Sequence, residues 1–502
     1  MSTMVGPEFP DGDTAGLKRR SVRGAAMAFV SQGLRFVLQI GSQIVLARLL
    51  LPSEFGLIAM ITPLLSFVQI FNELGLTQAT VQRAKISHEE LSTLFWVNVG
   101  ISVGLAAAVC LAAPLVALFY GEPRLTLVTI CMAGLLVLSG LSAQQMAIMN
   151  RSMRFLQLSV IDFTCLAVAV AAGIGAAWYG MGYWSLVVMQ AANSLTITVL
   201  SWAMSDWRPL SPRKMSSVGS LLRFGGHVTG YNVLSFAGAN LDSVLIGVAG
   251  GSHTLGLYDR AQRLVSTPVW HIGGPIARVA VALLSRLNDQ HAHYRRAYVQ
   301  MLQVLLLAMV PGFVAAAMVS ERLVPALFGP AWTEAAPIVT WLAVAVMFAP
   351  FGLSTYWLFV SQGRVGQQLA YGGLRTALTL AALMVGLPWG VVGVAQSYAA
   401  FAILVQGSLV WGATRHGPVR WHDVVRGAYP VAVGALAAAG ALLLTERYVP
   451  GGLMHVGVRL MADVLLSYAA CGLVLLFFPD GQRLLRSLWD LRSTFRPAPN
   501  AG

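Results

Sequence analysis

Apolar residues gather along this chain into stretches too long for the core helices of a water-soluble domain, separated by short polar turns. A helix needs about 20 predominantly apolar residues to cross the hydrocarbon core of a bilayer. By that length the sequence predicts fourteen spans: 24–47, 55–77, 91–118, 125–148, 158–178, 183–203, 225–249, 264–285, 299–319, 335–360, 367–387, 391–413, 427–446 and 457–478. Span one is diluted by Arg35 and several glutamines, and span eight contains Pro268, Pro275 and Arg278. Turns such as Trp178-Tyr179-Gly180-Met181-Gly182-Tyr183-Trp184 combine glycine with aromatic rings suited to the headgroup zone. The longest connection, about 204–224, is rich in Arg, Pro and Ser. The expected fold class is an all-α polytopic membrane protein with about 14 transmembrane helices.

The pattern also repeats. Ser53-Glu54-Phe55-Gly56-Leu57 recurs loosely as Ser252-His253-Thr254-Leu255-Gly256-Leu257, Ala117-Leu118-Phe119 as Ala326-Leu327-Phe328, Asn150-Arg151-Ser152-Met153-Arg154 as Ser361-Gln362-Gly363-Arg364, and Tyr179-Gly180 as Trp389-Gly390. Offsets stay between 200 and 210 residues, which points to two six-helix units. An even number of helices per unit makes the repeat parallel, about an axis along the membrane normal. The expected organisation is a disordered cytoplasmic tail over 1–16, an N-lobe over 17–203, a cytoplasmic linker over 204–224, a C-lobe over 225–413, two extra spans within 414–480 and a cytoplasmic tail over 481–502.

Composition removes whole classes of function. Of 502 residues, 57% are hydrophobic and 11% charged, against roughly 25% charged in soluble proteins, which excludes an ordinary soluble enzyme. The net charge of +13 would suggest nucleic acid as a partner in a soluble chain, but here topology accounts for it. With the N-terminus in the cytoplasm, 23 Lys and Arg residues fall inside, 7 outside and three within spans, the asymmetry expected of cytoplasmic loops. Both termini are therefore expected inside, and no nucleic-acid partner is implied. Cys110, Cys131, Cys165 and Cys471 lie in apolar runs without CxxC spacing, so no disulfide or zinc framework is implied. There is no GxxxxGK[ST] loop, and no cofactor or metal is expected.

Ionisable residues inside a span are costly and face a cavity or a partner. In span one, Ser31, Arg35, Gln39, Ser42 and Gln43 share about one third of the helix circumference at 100° per residue. Arg260, Arg263, Thr267, His271, Arg278 and Ser285 share a narrower arc along span eight and its approach, and His227, Tyr231, Ser235 and Asp242 one side of span seven. Two readings stay open: the polar groups pair with one another, Arg278 with Asp242 or Arg35 with Glu73, or they line a water-filled cavity between lobes. Arg48, Arg260 and Arg263 lie near external span ends, where they would either snorkel to headgroups or bind phosphate, whose oxygens a guanidinium matches bidentately. Gln39 and Gln43 also suit interhelix hydrogen bonding, and His271 a packing role. Among the acidic residues in spans, Glu73 and Asp242 are the ion-coupling candidates, while Asp162 and Asp463, near span ends, read as structural.

Several stretches together carry a resemblance. They are Val45-Leu46-Ala47-Arg48-Leu49-Leu50-Leu51-Pro52-Ser53-Glu54-Phe55-Gly56-Leu57, Glu73-Leu74-Gly75-Leu76-Thr77-Gln78-Ala79-Thr80-Val81-Gln82-Arg83 and Leu91-Ser92-Thr93-Leu94-Phe95-Trp96-Val97-Asn98. The second half adds Leu222-Arg223-Phe224-Gly225, Asn240-Leu241-Asp242-Ser243-Val244-Leu245-Ile246-Gly247 and Leu255-Gly256-Leu257-Tyr258-Asp259-Arg260-Ala261. From about 17 to 415 the chain resembles the polysaccharide transporter branch of the multidrug/oligosaccharidyl-lipid/polysaccharide superfamily, the Wzx-type lipid-linked oligosaccharide flippases. The resemblance implies a V of two six-helix lobes around a central cavity, as in the MATE exporters, working by alternating access. It implies a non-enzymatic transporter of the bacterial inner membrane that flips undecaprenyl-diphosphate-linked oligosaccharide for exopolysaccharide or lipopolysaccharide biosynthesis.

The sugar-diphosphate-binding role that the resemblance implies maps onto Arg35, Arg48, Arg260 and Arg263, with Arg278, Gln39 and Gln43 also facing the expected cavity. Implied partners are membrane lipids, a polysaccharide polymerase and a chain-length regulator, with the chain itself a monomer. The peptidoglycan-precursor branch carries an adjacent arginine pair late in span two where this chain has Val68-Gln69, a departure that counts against lipid II as substrate. Two alternatives remain: a cation-coupled multidrug exporter, which calls for an acidic cavity, and a membrane polysaccharide polymerase or ligase, which calls for a large external loop.

Overall fold

In a computed structural model of the chain the described residues are 33–73, 87–211, 218–415, 417–448, 455–479 and 481–484, with the side chains of 72–73 and 218–239 outside the description. The expected tails at 1–16 and beyond 484 lie outside these residues. Every regular element among the described residues is helical. In chain order these are α1 (33–49), α2 (Pro52–Glu73), α3 (His88–Tyr120), α4 (Arg124–Arg151), α5 (Phe155–Trp178), α6 (Trp184–Met204), α7 (Val218–Arg286), α8 (His291–Met318), α9 (Ser320–Phe328), α10 (Ala336–Val346), α11 (Ala349–Ser361), α12 (Val365–Gly386), α13 (Gly390–Thr414), α14 (Trp421–Tyr448) and α15 (Val456–Leu475). Helix is what a bilayer demands, because backbone groups in hydrocarbon can be satisfied only within the segment or in a closed barrel.

Ten helical runs among the described residues are long and apolar enough to cross a membrane. They coincide with predicted spans two to six and nine to fourteen, with spans eleven and twelve in one run, Val365–Thr414. Spans one, seven and eight are not among them. Span one begins outside the described residues and most side chains of span seven lie outside them, while span eight is regular helix diluted by Pro268, His271, Pro275 and Arg278. The chain packs into two compact units, Met1–Gly256 and Leu257–Gly502. The division falls within α7, shortly after its break at Gly251, where φ is +73°. The lobes expected at 17–203 and 225–413 are defined by sequence repetition, not by packing, and return below as a proposal.

In the first unit α4 packs between α3 and α6, α5 packs on α6, and α2 leans on α4. Helix α3 starts at a capping box, Glu90 N donating to Ser87 Oγ at 3.1 Å and Ser87 N to Glu90 Oε2 at 2.9 Å, which satisfies two amides the helix cannot. Glu122 in the following turn is held by Arg124 at 2.8 and 3.0 Å, and that hydrogen bond pulls its carboxyl below the usual range. The first part of the expected linker is not loose: Trp207 is buried against Phe95 and His88, Trp96 Nε1 donates to the Leu210 carbonyl at 2.8 Å, and Arg154 pairs with Asp206 at 2.9 Å. Residues 205–211 are thereby folded onto the start of α3, and 212–217 lie outside the described residues.

The repeat has a structural counterpart. Met153 and Gly363, 210 residues apart, both take positive φ, 52° and 69°. The next amides, Arg154 and Arg364, reach back to Met149 and Phe359 at 3.0 and 2.8 Å, the same helix-ending pattern. Gly180 and Gly390 likewise match at φ 75° and 73°. Within the first unit, the start of α2 crosses the segment after Gly251 glycine to glycine. A Cβ on Gly56 would fall on the Ser252 carbonyl, and one on Gly256 on the Pro52 carbonyl. Each glycine meets the residue four before the other, the reciprocity a local two-fold relation produces. Small residues there let two backbones touch.

In the second unit α8 is the hub, touching α10, α11, α14 and α15. Its buried Tyr294 and Tyr298 bond to Ser361 Oγ at 2.6 Å and Ser354 Oγ at 3.0 Å. Gln303 donates to the Gly427 carbonyl at 3.2 Å, and Ser467 to the Pro311 carbonyl at 2.7 Å. Asp463, 4% exposed on α15, faces Arg322 at 3.7 Å, and Glu446 meets the same guanidinium at 3.6 Å. Arg322→Ala strands a buried carboxylate and is expected to cost about 1–3 kcal/mol, seen as a lowered melting temperature in detergent. Adding Asp463→Asn should recover most of that loss; purely additive losses would show that the pair is not coupled.

Candidate functional site

The polar faces expected on spans one, seven and eight are only partly within the described residues. Ser31 lies outside them, as do the side chains of Glu73, His227, Tyr231 and Ser235.

On α1, Arg35 Nη1 donates to Asp162 Oδ2 on α5 at 2.9 Å, with the two side chains 38% and 39% exposed. Arg35 therefore pairs with Asp162, while the side chain of Glu73, the partner expected from the sequence, lies outside the described residues. An ion pair this open is screened and contributes little stability, so both groups stay available for exchange with another partner. Gln39 is exposed, Gln43 half-buried and Arg48 exposed. Ser42 turns inward and donates to the Gln39 carbonyl of its own helix at 2.8 Å. The expected stripe thus divides: its charged end is accessible, while Ser42 packs.

In the second unit Asp259 organises the arginines. Arg263 Nε reaches Asp259 Oδ1 and Oδ2 at 2.9 and 2.8 Å, and Arg260 Nε stands 3.5 Å from Oδ2. The Asp259 and Arg260 side chains are only 14% and 13% exposed, whereas Arg263 is 46% exposed. Thr267 Oγ1 donates to the Arg263 carbonyl at 2.6 Å, staying within its own helix. Two guanidiniums share the Asp259 carboxylate. Arg263 is held through Nε, and among the described residues its terminal nitrogens make no hydrogen bond. Such a fixed, half-exposed fork can engage two oxygens of a phosphate or carboxylate. The i,i+4 spacing of Asp259 and Arg263 was the available sequence signal.

Asp242, half-buried on α7, accepts from Ser243 N at 2.8 Å. Arg278 is exposed, and among the described residues it forms no ion pair. His271 is half-buried. Arg35, Arg48, Gln39, Gln43 and Asp242 belong to the first unit, and Arg260, Arg263 and Arg278 to the second. The structure brings together Arg35 with Asp162, and Arg260 with Arg263 through Asp259. Among the described residues no group of three or more His, Cys, Asp and Glu side chains could hold a metal ion.

A family model described as polysaccharide biosynthesis protein matches residues 45–337. The chain is 24% identical over 378 residues to the lipopolysaccharide biosynthesis protein WzxC of Escherichia coli strain K12, covering 74% of this chain and 76% of that one. Among solved structures, the lipid II flippase MurJ in an inward closed conformation superposes with a TM-score of 0.73 at 11% identity, covering 89% of this chain and 98% of the other. A multidrug resistance MATE family transporter of the MOP superfamily, inward-facing, gives 0.58 at 14% identity over 76% and 96%. At these identities the structures show a shared fold.

Proposed function

Because the chain belongs to the polysaccharide biosynthesis protein family, a multi-pass membrane transporter family of the MOP superfamily, we propose that it translocates undecaprenyl-diphosphate-linked oligosaccharide repeat units across the bacterial inner membrane, by ion-coupled alternating access, for exopolysaccharide or lipopolysaccharide assembly. The observation that carries the substrate class is the Arg260–Asp259–Arg263 cluster, in which the half-exposed Arg263 fork is fixed through its Nε by Asp259. A diphosphate supplies the matching anion, and the same substrate-binding role is assigned to Arg35 and Arg48. Gln39, Gln43 and Arg278 serve sugar hydroxyls and phosphate along the same path.

Ion coupling is assigned to Glu73 and Asp242, and the geometry adds Asp162: when an anionic substrate draws Arg35 away, Asp162 is left to take up a cation. The two lobes, 17–203 and 225–413, rock about the cavity between them, with 204–224 and both termini in the cytoplasm and the polymerase and chain-length regulator as neighbours of a monomer. The MATE-like fold alone would also fit a cation-coupled drug exporter, but the family match and the arginine cluster favour the lipid-linked sugar.

Deleting the gene in a strain whose surface polymer depends on it should accumulate undecaprenyl-diphosphate-linked repeat units inside the cell, readable by lipid extraction. Normal polymer with no accumulation, together with raised drug sensitivity, would point to the exporter. A reporter fused at Arg208 should register the cytoplasm, and a periplasmic signal would overturn the span order.

A further inference from the structure

Of the three arginines within predicted spans, Arg375 alone has no part in the assigned substrate path. It lies midway along α12, where an ionised group is costly and faces a cavity or a partner. Its guanidinium rests against Gly352 of α11 and beside Gln406 of α13: a Cβ on Gly352 would stand 3.0 Å from Arg375 Nη1 and 3.4 Å from Gln406 Nε2. These helices share an end, because α11 stops where α12 begins and Arg364 Nη1 donates to the Ala413 carbonyl of α13 at 3.2 Å. From that end, at 1.5 Å per residue, Gly352 lies about 14 Å inside α11, Arg375 about 15 Å inside α12 and Gln406 about 12 Å inside α13. The guanidinium therefore does not snorkel to headgroups but stays near the middle of a hydrocarbon core about 30 Å thick. Arg375 is exposed, and among the described residues its side chain makes no ion pair or hydrogen bond. Gln406 is 5% exposed, and among the same residues its amide makes no hydrogen bond either. In α5, the repeat counterpart of α12, the intramembrane charge is Asp162 and Arg35 meets it. The charge on α12 has no such partner among the described residues.

We propose that Arg375 and Gln406 form an oxyanion subsite of the translocation path, apart from the Asp259 cluster. Hydrocarbon offers no acceptor to an exposed guanidinium, whereas a carboxylate or phosphate presents two oxygens to its fork. The Gln406 amide adds a neutral donor beside it. Gly352 belongs to the subsite because any side chain there would crowd the guanidinium. The subsite rests on the proposed transport of a lipid-linked sugar, and two groups of such a substrate carry the required oxygens: the diphosphate in transit and a carboxylate on an acidic sugar of the repeat unit.

The test is native mass spectrometry of the full-length protein released from detergent, titrated with three probes: undecaprenyl diphosphate, the same carrier bearing a neutral oligosaccharide, and the carrier bearing an oligosaccharide with one glucuronate. Arg375→Gln should weaken binding about tenfold, the size of one charge-assisted contact. Loss on all three probes identifies the diphosphate as the oxyanion, and loss confined to the glucuronate probe identifies the sugar carboxylate. Arg375→Lys should fall between. Gly352→Ala, which keeps the charge and crowds the fork, should weaken the same probes to a smaller extent. Because no ion pair is lost, the melting temperature of Arg375→Gln should be unchanged or raised. An Arg375→Gln protein that binds all three probes like the unaltered chain, or that melts lower, would overturn the subsite and leave the proposed transport standing. An unaltered chain that binds none of the probes would overturn both.

Discussion

Gly56→Ala and Gly256→Ala are each expected to lower the melting temperature sharply and to cut the amount of protein recovered from the membrane. At both positions the added carbon would land on a backbone carbonyl of the opposing segment, Ser252 in one case and Pro52 in the other. A flexible side chain could move aside, but two helical backbones must separate. That breaks the packing around Phe55, Leu57, Leu255 and Leu257, all buried. Overpacking a close contact costs about 1–3 kcal/mol, and this one sits at the upper end because the obstacle is main chain. Gly104, on α3, is the control, since nothing lies within 4 Å of a Cβ placed there, so Gly104→Ala should be neutral or slightly stabilising. Thermal unfolding of the three variants in one detergent decides it. Equal melting temperatures for Gly56→Ala and Gly104→Ala would remove the crossing from the description of the fold.

Arg263→Ala should reduce polymer export about tenfold or more at normal protein level, the loss expected when a charge-assisted contact to a phosphate is removed. Arg263→Lys should fall between, because an ammonium supplies charge without the two-pronged geometry. Asp259→Asn is predicted to behave differently. It leaves both arginines in place but removes the carboxylate that aims them, next to an Arg260 side chain only 13% exposed. Protein level should therefore fall along with export. Export by Arg263→Ala at the level of the unaltered chain would end its assigned role.

Much of the helical layout was legible in the sequence because membrane insertion writes itself as length: about 20 apolar residues per crossing is a long signal. Eleven predicted spans coincide with the apolar helical runs; spans one and seven lie partly outside the described residues, and span eight is diluted by Pro268, His271, Pro275 and Arg278. The turn at Met153-Arg154 and its counterpart at Gly363-Arg364 were visible as a weak motif match, and the shared positive φ explains why that match survives. Partners across the fold were not legible. Nothing local connects Arg35 to Asp162, 127 residues apart; the side chain of Glu73, the partner the sequence offered, lies outside the described residues. The role of Asp259 was within reach, since its i,i+4 relation to Arg263 is a local one, but the residue reads first as part of a family stretch. In the connection at 204–224, Arg, Pro and Ser are what the sequence shows, and only packing reveals that Trp207 within it is buried.

The most direct measurement is translocation in proteoliposomes. The purified chain would be reconstituted with an undecaprenyl-diphosphate-linked oligosaccharide carrying a label on its sugar, and exposure of the label at the opposite face followed with a membrane-impermeant enzyme. Movement that requires the chain, depends on an imposed ion gradient and is lost in Arg263→Ala is the predicted result; exposure no faster than in protein-free vesicles, or equally fast with Arg35 and Arg263 both replaced by alanine, would contradict it.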